Sequence, residues 1–249
     1  TLINSLYSPA EVLDWAWRLP FLFGGVFGLC AVYLRRMLRE TPVFAELQQR
    51  KSLAAELPLK TVLREHRGSI VLSMLLTWVL SAAIVVVILM TPTLLQTLYG
   101  FDAATALKAN SLAIVFLSLG CVAAGAIVDR VGAGRVLLLG GLLLGVTSWT
   151  FYSSLKLHPE WLFPLYALTG LFVGTIGAVP FVMVNAFPPV VRFSGLSFSY
   201  NVAYAIFGGL TPLVVSLLIK ADPLGPAYYV AALCGLAVII GLYLRGRGR

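Results

Sequence analysis

Along this chain, apolar and polar positions alternate on the scale of whole helices rather than of single turns. Seven stretches, 15–34, 69–96, 108–128, 136–155, 161–186, 193–219 and 226–244, are apolar almost throughout. Each has about the 20 residues that a helix needs to cross a bilayer. No backbone polar group can stay unpaired in hydrocarbon, and a helix pairs them all within itself. The pattern therefore predicts an all-α integral membrane protein with seven transmembrane helices.

Composition strengthens this reading. The 249 residues are 59% hydrophobic and 11% charged, with a mean hydropathy of +0.93, whereas an ordinary soluble domain carries about 25% charged residues. A net charge of +8 in a soluble protein would raise the question of nucleic acid, but no basic face with interleaved aromatics is present, so nucleic acid is not an expected partner. Cys30, Cys121 and Cys234 sit inside apolar runs, where Cys acts as a small hydrophobe. They predict neither a disulfide framework nor a metal site.

Charge placement gives an orientation. If the first span runs from outside to inside, only Arg18, Lys108, Lys156 and Lys220 of the 18 lysines and arginines fall outside. The excess of basic residues then marks 35–68 and the C-terminus as cytoplasmic. Aromatics agree, with Trp15, Trp17, Tyr99, Trp161, Tyr228 and Tyr229 near the outer interface and Tyr33, Phe187, Phe193 and Tyr243 near the inner. The chain then divides into an external segment with one orphan span (1–34), a partly helical linker on the inner surface (35–68), a six-span block (69–244) and a basic cytoplasmic tail (245–249). Six spans suit one half of a two-half transporter, each half being a pair of three-helix repeats. An odd number of spans, an external N-terminus, and no signal peptide or initiator Met predict that further chain precedes Thr1.

Chemistry is sparse inside the spans. Every Asp, Glu and His sits in a loop or at a helix end, so no proton relay, metal site or hydrolytic pair is expected at mid-membrane. Catalysis and a cofactor are not expected. Uncharged polar residues do gather. In the sixth span Ser197, Asn201, Tyr204 and Gly208 recur at three- and four-residue steps beside Tyr200 and Thr211, which places them on one helical face. That face either lines a water-filled cavity and meets a solute or hydrogen-bonds a neighbouring helix. A weaker patch, Thr77, Trp78 and Ser81, marks the second span. Gly170, Gly174 and Gly177 form a small-residue stripe on the fifth span, read as helix packing. Pro92, Pro180 and Pro212 should kink their helices.

Residues 125–135, Gly-Ala-Ile-Val-Asp-Arg-Val-Gly-Ala-Gly-Arg, form a charged hairpin between the third and fourth spans, with Gly132 and Gly134 expected to reverse the chain. Three further motifs stand beside it: Trp15-Ala-Trp17-Arg18-Leu-Pro20-Phe21 opening the first span, 38–44 (Leu-Arg-Glu-Thr-Pro-Val-Phe) just after it, and 187–195 (Phe-Pro-Pro-Val-Val-Arg-Phe-Ser-Gly) before the sixth. Together they resemble the major facilitator superfamily, and more narrowly its metabolite:proton symporter branch of proline/betaine, citrate, 2-oxoglutarate and shikimate carriers.

The resemblance covers the chain as helices six to twelve of a twelve-helix transporter, an orphan helix plus the six-helix C-terminal half. It implies alternating access, a small polar metabolite (carboxylate or zwitterion) with protons as partners, a bacterial inner membrane, and an N-terminal half of the same transporter lying outside this sequence. It also implies that Asp129, Arg130, Gly132 and Arg135, with Arg192 in the later motif, act in conformational gating. Ala133 departs from the motif, which often has a basic residue there. The solute-pathway candidates are Trp78, Ser81, Tyr200, Asn201 and Tyr204. The alternative is a seven-helix receptor with Asp129-Arg130-Val131 as its cytoplasmic switch. Against it stand the long 35–68 segment and the absence of receptor motifs from the last two spans.

Overall fold

The structure, a computed structural model, describes residues 3, 6–37 and 58–246. The 38–44 motif, most of the inner linker and residues 247–249 of the basic tail lie outside the described residues. The chain forms two units, Thr1–Leu53 and Ala54–Arg249.

In the first unit, helix α1 (Pro9–Asp14) starts from a capping box: Ser8 Oγ accepts from the Glu11 N–H, and the Glu11 carboxylate accepts from the Ser8 N–H. These hydrogen bonds hold the Glu11 carboxyl below its usual range. A short 3-10 turn, Ala16–Arg18, leads into α2 (Leu19–Met37). Phe21, Leu22, Val26, Phe27 and Leu29 are all exposed, so α2 shows apolar side chains on every side, as a helix in lipid does. The candidate span is Ala16–Arg35.

The second unit is a helical bundle. The short amphipathic α3 (Pro58–Glu65) precedes six candidate membrane spans: α4 (Arg67–Thr97), α5 (Ala103–Val131), α6 (Ala133–Ser154), α7 (Pro159–Asn185), α8 (Arg192–Ala221) and α9 (Gly225–Gly246). The breaks fall where the chain supplies stop and start signals. Asp102 caps α5 by accepting from the Thr105 N–H at 2.9 Å, and hydrogen bonding from the Thr105 side chain and backbone holds its carboxyl below the usual range. Gly132 ends α5 at φ +86°, a conformation costly for any residue with a Cβ.

α6 packs along α9, and α5 along α7. Further contacts join α4 to α8, α4 to α9, α6 to α7, α5 to α6 and α8 to α9. Exchanging α4, α5 and α6 for α7, α8 and α9 leaves this pattern unchanged, so the unit is two three-helix sets related by a pseudo-two-fold. α4 and α7 are the most buried helices, whereas α5 and α8 are largely unburied, with Val115, Leu119, Val122, Phe193, Leu213 and Leu217 exposed.

Glycine sets the closest approaches. A Cβ on Gly174 of α7 would lie 2.4 Å from the backbone of Gly120 on α5, and one on Gly170 would lie 2.3 Å from the Ala113 carbonyl oxygen. The Gly170, Gly174 and Gly177 stripe thus packs α7 against α5. In lipid there is no hydrophobic drive between helices, and such close packing takes its place.

The three prolines act through irregular turns just before them. The stretch Ala83–Met90 before Pro92 and Tyr204–Gly208 before Pro212 are π-helical, and Gly174–Gly177 before Pro180 is a 3-10 turn. Proline removes one backbone donor and crowds the preceding turn, and widening or tightening that turn relieves the clash.

Candidate functional site

Two polar clusters sit within the bundle. The first surrounds the π stretch of α4. The Thr91 N–H donates to the Val86 carbonyl, a five-residue step. In that register Val87 would be served by residue 92, but Pro92 has no N–H. Tyr166 of α7 supplies the donor instead, its hydroxyl reaching Val87 O at 2.6 Å and also meeting Asn110 Oδ1 of α5. A phenol has one proton, so both contacts are met only if Asn110 turns its NH2 toward the phenol oxygen while Tyr166 donates to Val87. Thr91 Oγ1 donates to Val86 O at 2.8 Å and shares a 2.7 Å bond with the Tyr152 hydroxyl of α6. Tyr99 donates to the Tyr152 carbonyl at 2.7 Å. Burial pushes the Tyr99 phenol up to about 12.

The second cluster holds one of the solute-pathway candidates. Trp78 of α4 lies flat on Phe207 of α8, with ring centroids 4.3 Å apart and planes 10° apart, and its indole N–H donates to the Tyr229 hydroxyl of α9 at 3.1 Å. Tyr229 shares a 2.8 Å bond with Thr211 Oγ1, which also donates to Phe207 O at 2.6 Å. Three helices therefore meet at one hydroxyl pair beside the Pro212 kink. Ser81 is fully buried and donates to the Trp78 carbonyl of its own helix. It shows no surface to a solute in this conformation.

On α8 the remaining candidates stay together. Tyr200 and Tyr204 are half-buried, with centroids 5.5 Å apart, and Tyr204 lies over Gly208, where a Cβ would stand 3.0 Å from its ring. Asn201 is exposed on the outside of the six-helix unit and, among the described residues, donates only to Ser197, at 2.8 Å to its carbonyl. The structure therefore pairs Tyr200 with Tyr204, Tyr200 packing against the buried cluster around Leu76 and Val179, and leaves Asn201 exposed beside Ser197. It turns Trp78 toward Phe207 and Tyr229 and buries Ser81.

The 125–135 hairpin divides differently from the expectation. Gly132 is the turn residue, but Gly134 is helical, buried and pressed on α9: a Cβ there would lie 2.9 Å from Gly241 O and 2.9 Å from Arg245 N. Gly134 is therefore a packing glycine rather than a chain-reversing one. Asp129, Arg130 and Arg135 are exposed. Among the described residues Asp129 and Arg130 make no side-chain hydrogen bond or ion pair, and Arg135 reaches only Val131 O of the preceding turn, at 3.4 Å.

At the same end of the bundle, Arg192 opens α8 and donates from Nε to Phe187 O at 3.3 Å. Phe187, expected at the inner interface, is instead buried against Gly195, whose Cβ would overlap its ring at 2.5 Å. Sequence reasoning also missed Tyr152, Tyr166 and Asn110, and it placed Tyr99 and Tyr229 in an aromatic belt. An interior tyrosine and a belt tyrosine look alike in sequence. The available signal was the repeated pair Thr91-Pro92 and Thr211-Pro212, a hydroxyl beside each missing amide.

A family model described as Major Facilitator Superfamily matches residues 2–212. The citrate-proton symporter of Klebsiella pneumoniae is 30% identical over 250 residues, covering 98% of this chain and 56% of that protein. The putative proline/betaine transporter of Staphylococcus aureus (strain COL) is 28% identical over 247 residues, covering 96% of this chain and 53% of that protein. The citrate-proton symporter of Salmonella typhi is 30% identical, at 98% and 57% coverage. The chain spans about half the length of these curated relatives. No solved structure gives a significant match.

Proposed function

The chain belongs to the Major Facilitator Superfamily, and from that premise we propose that it is the C-terminal portion of a secondary active transporter that moves a small polar metabolite together with protons by alternating access. The receptor alternative has no support beside this family membership. The relatives' names, a citrate-proton symporter and a putative proline/betaine transporter, favour a carboxylate or a zwitterion as solute and a proton as coupling ion. Their length, about twice that of this chain, supports an N-terminal half as the partner of the six-helix unit. The domain boundaries, the bacterial inner membrane and a cytoplasmic C-terminus belong to the same proposal.

One observation carries the solute pathway. Asn201 lies about a third of the way along the membrane span of α8, exposed on the outside of its six-helix unit and, among the described residues, bonded only to its own turn. An amide facing lipid there is costly, whereas one facing a water-filled cavity is not. Tyr200 and Tyr204 beside it supply hydroxyls and ring faces. Trp78, stacked on Phe207 of α8, would bound the pathway from α4, and Ser81 would join it only in another conformation. Asp129, Arg130, Gly132, Arg135 and Arg192 form the gating end: the exposed Asp129 carboxylate is available to a cation or helix N-terminus of the partner half.

The test is uptake of radiolabelled citrate, proline and betaine into proteoliposomes, with and without an imposed pH gradient, by the transporter with both halves present. Asn201→Leu should cut uptake of the transported solute at least tenfold. Wild-type affinity and rate in that variant would overturn the pathway assignment, and uptake indifferent to the pH gradient would overturn proton coupling.

A further inference from the structure

We propose that the cavity at the basic end of the six-helix unit binds a phosphate group, carried by a lipid headgroup or free in solution, with Arg192 as its principal ligand. The inference is independent of which solute the protein moves. The cavity has a volume of about 660 Å³ and lies where the start of α4, the end of α7, the start of α8 and the end of α9 meet. Its polar lining is Glu65, His66, Ser69, Asn185, Arg192 and Tyr243, and Leu72 and Leu244 give it apolar surface.

Arg192 has spare capacity. It is half-buried, and its Nε alone is engaged, on Phe187 O. Neither Nη has a partner among the described residues. A guanidinium presents its donors as a fork that fits two oxygens of a phosphate. The carboxylate in the lining, Glu65, is exposed on the rim and makes no ion pair with Arg192 among the described residues, so it leaves the fork free while opposing any anion electrostatically.

The backbone adds to the same charge preference. α4 begins behind His66 and α8 behind Val191, and neither residue provides a side-chain cap. The first amides of both helices therefore keep open donors, and Gly68, Ser69 and Arg192 from those first turns line the cavity. Two helix N-termini and one cation meet the C-terminal ends of α7 and α9 in this space; Ser69 Oγ donates to Ala186 O at 2.7 Å and Arg192 Nε to Phe187 O at 3.3 Å, so carbonyls at the end of α7 are already answered and the Arg192 Nη groups remain the donors for an anion.

Position selects phosphate among anions. The cavity lies at the ends of four membrane-spanning helices, the level of lipid headgroups. Its volume exceeds what an inorganic anion fills and lies within the range of about 300–1,000 Å³ usual for small-molecule sites. Beside it α3 is docked by the buried Val62, packed with Ile70, Phe187 and Val191, while Leu59 and Leu63 stay exposed one turn apart next to Lys60 and Arg64. That arrangement suits a helix lying in the membrane interface, which brings lipid to the mouth of the cavity.

The experiment is native mass spectrometry of the purified full chain in maltoside detergent, titrated with dioleoyl-phosphatidylglycerol and, separately, with dioleoylglycerol, which has the same tails without the phosphate. Phosphatidylglycerol should bind at least tenfold tighter than dioleoylglycerol. Arg192→Gln should weaken that binding about tenfold, with Arg192→Lys intermediate, while Arg130→Gln, at the same end but outside the cavity, should leave it within twofold. Competition by 10 mM inorganic phosphate would identify the phosphate group itself as the recognised element; lack of competition would assign the site to the headgroup with its tails. Should Arg192→Gln not fold, Glu65→Gln decides: removing the opposing charge should tighten phosphatidylglycerol binding, and unchanged or weaker binding counts against the site. Equal losses in the Arg192 and Arg130 variants, or none in either, would overturn the proposal.

Discussion

Removing the Tyr166 hydroxyl tests the account of the π stretch in α4. In Tyr166→Phe the Val87 carbonyl loses the donor that stands in for the amide Pro92 lacks. An orphaned buried acceptor costs about 1–3 kcal/mol, and hydrogen bonds between membrane helices average ~0.6 with a maximum of ~1.7 kcal/mol. The Val87 contact is short and fully buried, so the upper part of the membrane range applies, ~1–1.7 kcal/mol. Pro92→Ala restores an N–H at position 92, and in either the five-residue or the ordinary helical register Val87 O then gains a backbone donor. In that background Tyr166→Phe should cost only what the Asn110 bond contributes, ~0.5 kcal/mol. The coupling in a double-mutant cycle is therefore ~1 kcal/mol. Thermal unfolding of the purified chain followed by circular dichroism at 222 nm resolves this, since a chain of this size shifts its Tm by roughly 2–4 °C per kcal/mol. Additivity of the two substitutions within ~0.5 kcal/mol would show that Tyr166 does not replace the proline's missing donor.

Three further outcomes are expected. Gly174→Ala places a methyl 2.4 Å from the Gly120 backbone, which cannot yield as a side chain would, and should destabilise the chain by ~1–3 kcal/mol; Gly125→Ala, inside α5 with nothing within 4 Å of the added Cβ, should unfold at or above the wild-type temperature in the same assay, because alanine restricts the unfolded chain more. Asp129→Asn in the transporter with both halves present should change the accessibility of cysteines placed along the α8 face at 197 and 201 from the two sides of the membrane, and unchanged labelling rates would exclude a gating role. Hydrogen bonds from Thr105 lower the Asp102 carboxyl, so its contribution to stability is present above the unfolded-state value of about 3.9 and is lost as pH falls through the lower folded-state value. Asp102→Ala should therefore lower the Tm at pH 7 and converge on the wild type in strong acid, a difference read by unfolding scans across pH.

The spans and their punctuation were legible because membrane insertion is decided locally. A run of about 20 apolar residues has no alternative to the helix in hydrocarbon, and Gly132 announces a turn because only glycine lacks the Cβ that the turn would crowd. The Gly170, Gly174 and Gly177 stripe announced packing because three missing side chains on one face serve no other end. Gly134 was misread because a glycine two residues after a turn glycine looks like part of the turn, and only the position of Gly241 on α9 shows otherwise. The polar face of α8 was visible as Ser197, Asn201 and Tyr204, but its distribution was not: Asn201 points away from the bundle, whereas Trp78 and Ser81 of α4 turn inward. A helical wheel gives relative angles and no absolute direction.

By itself, then, the sequence determined the number, length and charge asymmetry of the helices and the motifs that tie the chain to its family, since hydropathy and turn chemistry act within about 20 residues. The tertiary structure alone decided which tyrosine serves which kink, which glycines touch which backbone, and that Arg192, engaged through Nε on Phe187 O, lines a cavity. Those relations join residues up to 151 positions apart, as Trp78 and Tyr229 are. No local propensity encodes which of several equivalent hydroxyls arrives beside a carbonyl once the helices have packed.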